Sequence, residues 1–248
     1  MRFSGIRAMT LGLVLSAPLL SASAQTHEYR LNGTYADLFG GPSLTSDGGV
    51  LGPYGYNFGP NQGLVLRNVF SPGNSYSIVF RATLSSVTSS TGYVKLVDFK
   101  DQTSDNGYYV YNGQSVFYPY NGSGISTDYV PNVPTTTVLT NDATAHMVSV
   151  YVNGLLRLSI SDGAQFAEFT GPNGVARFFE DDFYLGQPEA TTGFVDYLAT
   201  YNTALTASEV ANLPVPSTVP EPATMTLVAT GLCCVAAISR RRRRNVSS

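Results

Sequence analysis

Tryptophan is absent from this chain of 248 residues, and only two cysteines occur, Cys233 and Cys234, side by side in an apolar run near the C-terminus. The body of the chain therefore has no disulfide and no cysteine nucleophile. Charge is sparse at 12% of residues. Seven of the fourteen basic side chains lie at the two ends, as Arg2, Arg7 and Arg240 to Arg244. Between residues 25 and 219 there remain seven basic and sixteen acidic side chains, a formal charge of −9. A body of that sign offers no basic patch for phosphates, which argues against nucleic-acid binding. It also disfavours anionic polysaccharides and favours neutral glycans, cations or basic partners.

Other absences narrow the chemistry. The two histidines are His27 and His146, and His27-Glu28 is not followed by the second histidine of a zinc helix. No Gly-x-Ser-x-Gly elbow occurs. Gly122-Ser123-Gly124 is a lone glycine pair, too little for a phosphate cradle. No EF-hand spacing and no repeat of fixed period occur.

The ends carry the strongest patterns. Arg2 and Arg7 precede an apolar segment over residues 9–20, and Ala22-Ser23-Ala24 is a small-residue cleavage site before Gln25. Residues 1–24 thus read as a secretory signal peptide, removed by signal peptidase. At the other end Pro220-Glu221-Pro222 precedes an uncharged apolar run, 223–239, and five arginines, 240–244. As a helix rising about 1.5 Å per residue, the run covers most of a hydrocarbon layer about 30 Å thick. The arginines mark its cytoplasmic end. The prolines hold an extended peptide just outside the membrane. Tripeptide, span and basic end in that order resemble the PEP-CTERM sorting signal of Gram-negative bacteria, which an exosortase recognises. The resemblance implies a precursor tethered to the inner membrane by a transmembrane helix. Delivery to the cell surface or extracellular matrix would follow, whether the mature protein is released or anchored.

Between the ends, strand signals dominate. Residues 75–84 alternate, with Tyr76, Ile78 and Phe80 on one face and Ser77 and Val79 on the other. Residues 92–99, 107–111, 114–120, 146–152, 155–160, 183–186 and 194–201 read as further strands. Asn112-Gly113 and Asn153-Gly154 each suit a two-residue type I′ hairpin loop. The glycine-rich stretch 40–63 reads as loops around a short strand at 54–58. The one helix signal is Thr206-Ala207-Ser208-Glu209, a capping box, with Val210 and Leu213 as its apolar stripe. The expected organisation is one domain over 25–213, a Pro/Ser/Thr stalk over 214–219 and the sorting signal over 220–244.

Phe183-Tyr184-Leu185-Gly186, then Gly193-Phe194-Val195-Asp196-Tyr197-Leu198, then Tyr201-Asn202-Thr203-Ala204-Leu205-Thr206 and Glu209 resemble the C-terminal pattern of laminin-G-like, concanavalin A-type domains. The Tyr151-Val152-Asn153-Gly154 hairpin fits the same family. The resemblance implies an all-β jelly-roll sandwich of two antiparallel sheets, one concave. It also brings two ligand expectations. Catalytic members carry Glu-x-Asp-x-Glu or Glu-x-Asp-x-x-Glu, and here Glu180-Asp181-Asp182 matches only its start. Tyr184 and Leu185 stand where the closing glutamate belongs, so no catalytic residue is assigned and the segment reads as a solvated acidic turn before a strand. Laminin-G-like domains often bind calcium, for which Asp47, Asp98, Asp101 and Asp105 are the candidates beside the Asp181-Asp182 pair. A turn or helix-cap role suits each of them as well.

The aromatics give the binding candidates. Tyr109 and Tyr111 share one strand face, and Tyr118 and Tyr120 share a face of the partner strand. If the two faces coincide, four tyrosines make a stripe for sugar rings. Ordinary cross-strand packing accounts for them too, and the lack of tryptophan weighs that way. The sequence therefore points to a non-enzymatic, exported carbohydrate-recognition or adhesion domain. A glycan-cleaving enzyme and a structural biofilm component are the alternatives.

Overall fold

Strict alternation over Tyr76–Leu84 puts Tyr76, Ile78, Phe80, Ala82 and Leu84 in the main core and Val79 in a second cluster behind it. Both faces of this strand are buried, so it lies inside a layered structure rather than at its surface. The computed structural model describes residues 25–214, apart from 121, 124–126, 171–173, 184–185 and 187. The signal peptide expected over 1–24 and the apolar run 223–239 lie outside the described residues. Among the described residues, no helix is long and apolar enough to cross a membrane.

Among the described residues, fifteen strands and one short helix follow in order: β1 (Gln25–Tyr29), β2 (Thr45–Asp47), β3 (Val50–Leu51), β4 (Tyr56–Phe58), β5 (Gly63–Leu66), β6 (Tyr76–Leu84), β7 (Tyr93–Asp98), β8 (Gly107–Tyr111), β9 (Gln114–Tyr118), β10 (Gly122–Ser123), β11 (Thr135–Asp142), β12 (Met147–Val152), β13 (Leu155–Ser161), β14 (Ala176–Phe178), β15 (Gly193–Tyr201) and α1 (Ala207–Ala211). They form two antiparallel sheets. The first runs β13-β12-β11-β6-β15-β4-β3, with β1 also paired to β15, and the second runs β10-β9-β8-β7-β14-β5-β2. The main core lies between them, with Ile78, Phe80, Leu139, Val150 and Leu198 from the first sheet facing Leu64, Val94, Leu96, Tyr108, Val110, Phe117 and Phe178 from the second. This is the expected all-β sandwich.

Local codes act where the sequence places them. Asn112 and Gly113 have φ of 48° and 84°, and Asn153 and Gly154 have 50° and 79°, the left-handed values a type I′ loop requires. Thr206 caps α1, with the reciprocal bond from Glu209 present, and Val210 is buried against Val79, Tyr197 and Tyr201. Three readings are corrected. The stretch 40–63 holds more than the single expected strand, because β2, β3 and β4 lie within it, β5 begins in it, and they pair into both sheets. No strand occupies the described residues Phe183 and Gly186. The fourth tyrosine of the stripe, Tyr120, lies beyond the end of β9.

Candidate functional site

The register of β8 on β9 pairs Tyr109 with Val116, Tyr111 with Gln114 and Gly107 with Tyr118. Directly opposed residues share a face, so Tyr109, Tyr111 and Tyr118 all point out of the second sheet while Tyr108, Val110 and Phe117 point into the core. On the other side β7 sets Tyr93 against Tyr111 and Lys95 against Tyr109. Tyr93 meets Tyr111 at 4.4 Å between ring centroids and Tyr109 at 6.0 Å, and Tyr109 meets Tyr118 edge-on at 6.5 Å. The stripe therefore exists with Tyr93 as its fourth member. Tyr120 turns inward instead: its ring stacks on Phe117 at 6.2 Å, meets Phe166 at 5.3 Å, and its hydroxyl donates to Asp162 at 3.0 Å.

Tyr109 is 1% exposed, so it forms the floor of the stripe rather than its surface. Lys95 Nζ sits 5.2 Å from the centre of its ring. Gly107 makes this possible, because a Cβ there would stand 2.6 Å from Lys95 Cε and 2.8 Å from the Tyr109 ring. The Tyr109 hydroxyl donates to Asp105 Oδ1 at 2.8 Å.

The acidic turn is buried, which overturns the expectation that it is solvated. Glu180, Asp181 and Asp182 are each 1% exposed. The segment leaves β7 where the Phe179 N–H donates to the Leu96 carbonyl at 3.0 Å, and it rejoins where Lys95 N–H donates to the Glu189 carbonyl at 2.8 Å. It is thus pinned at both ends to β7, and each of its carboxyls takes at least one partner nearby. Lys95 Nζ donates to Asp98 Oδ2 at 2.9 Å and to Asp182 Oδ2. Asp98 Oδ1 accepts the Lys100 and Gln102 backbone N–H groups at 3.0 and 2.9 Å. Asp181 accepts those of Asp182 and Glu189, both at 2.8 Å. Arg177 on β14 donates to Asp101 at 2.7 Å, Glu180 at 2.7 Å and Asp47 at 3.0 Å.

These partners account for the calcium candidates one by one. Asp47 and Asp101 meet on Arg177, Asp98 holds Lys95, and Asp105 holds Tyr109. They are gathered by cationic side chains and a phenol. Among the described residues, no group of three His, Cys, Asp or Glu side chains is arranged to hold a metal ion.

Burial decides the protonation here. It pushes Glu180 up to about 7 against the opposing charge of Arg177, and Glu180 Oε1 is buried without a hydrogen-bond partner. Glu189 is likewise pushed up to about 7 by burial, although Thr91 Oγ1 donates to it at 2.8 Å. Burial also raises Asp105, and the neighbouring Asp182 carboxyl adds to the shift. Burial pushes Lys95 down, but Asp98 and Asp182 more than offset it, so the amine is raised above its ordinary range.

Above this layer opens a pocket of about 210 Å³ lined by Tyr93, Asp105, Tyr109, Tyr118 and Glu189. It combines aromatic rings with two carboxyls able to donate or accept, the set needed to orient a hydroxylated ring. A cavity of about 390 Å³ at the sandwich end, lined by Val69, Phe70, Ser71, Asn74, Ser75, Tyr76 and Asn202, lacks any carboxylate or cationic group. Sequence reasoning missed Tyr93, Lys95, Arg177 and Glu189. The available signal was the alternation of Tyr93 and Lys95 with Val94 and Leu96, which puts a lysine and a tyrosine on one face of an otherwise apolar strand.

Residues 218–244 match the model of the PEP-CTERM protein-sorting motif. The tail is that sorting signal, and it marks an exported protein sorted to the cell surface. Among curated proteins, none matches the chain in sequence. Several solved structures share its fold. Domain 4 of AbnA, an extracellular arabinanase of Geobacillus stearothermophilus solved with arabinotriose, is 18% identical with a TM-score of 0.54, covering 77% of this chain and 98% of that one. A Trypanosoma rangeli sialidase is 16% identical with a TM-score of 0.59, covering 76% of this chain but only 32% of the sialidase. The binding domain of botulinum neurotoxin serotype D is 13% identical with a TM-score of 0.53, covering 77% and 51%. At these identities the likeness is one of fold.

Proposed function

We propose that this exported protein recognises a neutral carbohydrate through the Tyr93–Tyr118 pocket, without cleaving it. The observation that carries the reading is the pocket itself, in which tyrosines flank Asp105 and Glu189. Sugar rings offer apolar C–H faces to aromatic rings and hydroxyls to carboxyls. The acidic body, with a formal charge of −9 over residues 25–219, favours an uncharged ligand over an anionic sugar. Arabinotriose, seen with the arabinanase domain, is neutral, whereas a serotype D toxin domain was solved with N-acetylneuraminic acid. The reading follows the first chemistry. The helix α1, which precedes the sorting motif, packs on the first sheet, while the pocket opens on the second.

A second reading has one specific support. A carboxyl near 7 beside another carboxyl suits general acid catalysis of glycoside cleavage. Glu189 meets that condition, but its partner Asp105 is bonded to Tyr109.

The test is an array of neutral and sialylated oligosaccharides probed with the purified exported protein. Binding to a neutral glycan is expected, weakened at least tenfold in a Tyr93→Ala, Tyr118→Ala variant, since each lost ring contact is worth about 1 kcal/mol. Binding only to sialylated glycans, or unchanged binding by the variant, overturns the reading. Release of reducing ends that stops in Glu189→Gln would favour the enzyme.

A further inference from the structure

The pocket floor contains an arrangement that carbohydrate binding does not use. Lys95 is a buried primary amine whose Nζ touches one carboxyl oxygen from each of Asp98 and Asp182, with both side chains at 0–1% exposure. Asp182 in turn faces Asp105. The two aspartates that touch the lysine differ. Asp98 is fixed by two backbone N–H groups on its other oxygen, so it is a firm acceptor. Asp182 lies on the buried excursion between β14 and β15 and has a second carboxyl beside it, able to pass it a proton. Bulk water is excluded by Tyr109, which lies over the amine.

We infer that Lys95 and Asp182 are the partners of an intramolecular isopeptide bond, formed once after folding. The geometry supplies the parts. Contact between Nζ and a carboxyl oxygen leaves the carboxyl carbon one bond further, close to the about 3–3.5 Å of a near-attack arrangement. The reaction balances without any outside reagent. Asp98 takes a proton from the Lys95 ammonium, freeing the amine lone pair. Nζ then bonds to Asp182 Cγ and gives up a second proton, a Cγ–O bond breaks, and the departing oxygen leaves as water with that proton and one from Asp105, so that Asp98 ends protonated and Asp105 ionised. Ammonium and carboxylate become amide and water, and no charge is created or lost. Burial favours this outcome, because two charges in a low-dielectric site are replaced by a neutral amide. The same pairing that raises Lys95 keeps the neutral amine scarce, so the bond forms slowly.

The consequence is mechanical. Lys95 and Asp182 are 87 residues apart. A covalent link across that separation closes a long loop in the unfolded chain, the service a disulfide performs in an exported domain. This chain has no cysteine in its exported body to do so.

Mass spectrometry of the purified exported protein tests the inference. The intact mass is expected about 18 Da below that of the processed chain, as one water is lost. A proteolytic digest should contain a branched peptide joining the segments around Lys95 and Asp182. The branched peptide decides the matter, because cyclisation of an N-terminal glutamine or of an aspartate also lowers the mass. Lys95→Arg should abolish the branch, whereas Asp182→Asn in a chain that keeps Lys95 should still form it, with loss of ammonia instead of water. Linear peptides carrying an unmodified Lys95 and an unmodified Asp182, with no branched species after prolonged incubation of the folded protein, overturn the proposal. That measurement needs no variant, so it decides even if Lys95→Arg does not fold.

Discussion

On the outer face of the first sheet, Val79, Val138, Tyr151, Tyr197, Ala199 and Tyr201 are covered by Leu205 and Val210. On the outer face of the second, Lys95, Tyr109 and Arg177 are covered by Glu180, Asp182 and Glu189. Both sheets are sealed on both sides, but one seal is apolar and the other ionic. The apolar seal gains from burial at any pH, roughly in proportion to area. The ionic seal gains only while each charge keeps its partner, and Glu180 and Glu189 are pushed up to about 7 by burial. A face sealed in the second way retains groups that can engage a ligand, which an apolar seal does not provide.

The largest effect should come from breaking the ionic seal at its centre. Lys95→Met leaves Asp98 and Asp182 buried without their cation and also removes the link between Lys95 and Asp182, and a loss of at least about 3–5 kcal/mol is expected in urea unfolding at neutral pH. A cost under about 1 kcal/mol would show that the second face is not held by charge. Leu205→Ala attacks the apolar seal. It should cost about 2–3 kcal/mol, and the same amount at pH 5 and pH 8, because no titrating group is removed. A cost that changed with pH would erase the distinction between the faces.

The smallest expected effect is the pH dependence of the unmodified protein. Glu180 and Glu189 are raised from 4.5 to about 7. Between those values the folded protein holds protons that the unfolded chain has released. Their contribution to stability is therefore complete below about pH 4.5 and is lost as pH rises through 7. Asp105 and Asp181, also raised, act in the same direction. Unfolding midpoints should fall between pH 5 and 8, by an amount on the order of 1–3 kcal/mol. A Glu180→Gln, Glu189→Gln variant should flatten the profile. A wild-type profile that is already flat would mean that these carboxyls stay ionised in the fold.

Much of the first face was legible. The alternation of 75–84 gave the two faces of β6, and the capping box at Thr206 gave the helix that covers the outer one. The second face was legible only in part. Alternation placed Tyr109 and Tyr111 on one face, and the register of β8 on β9 brought Tyr118 to the same face. Alternation failed for Tyr120, because the strand ends at Tyr118 and the side-chain period ends with it. Nothing near Glu180 in sequence indicated burial, since Arg177 alone lies close by while Asp47 and Asp101 come from distant segments. The glycine-rich stretch hid four strands, since two to four residues are too few to show a period and their pairing partners lie elsewhere.

The sequence by itself determined what depends on neighbouring residues: the sorting signal, the strand faces, the Asn-Gly hairpins and the cap of α1. Each of these is set by spacing along the chain, through side-chain direction, left-handed turn positions or a bond three residues long. Tertiary structure alone decided which charges meet. Lys95 finds Asp182 across 87 residues because β14 pairs beside β7 and carries the acidic segment over it. A carboxyl's environment, and with it the chemistry of the pocket, is fixed by that pairing, which local spacing does not encode.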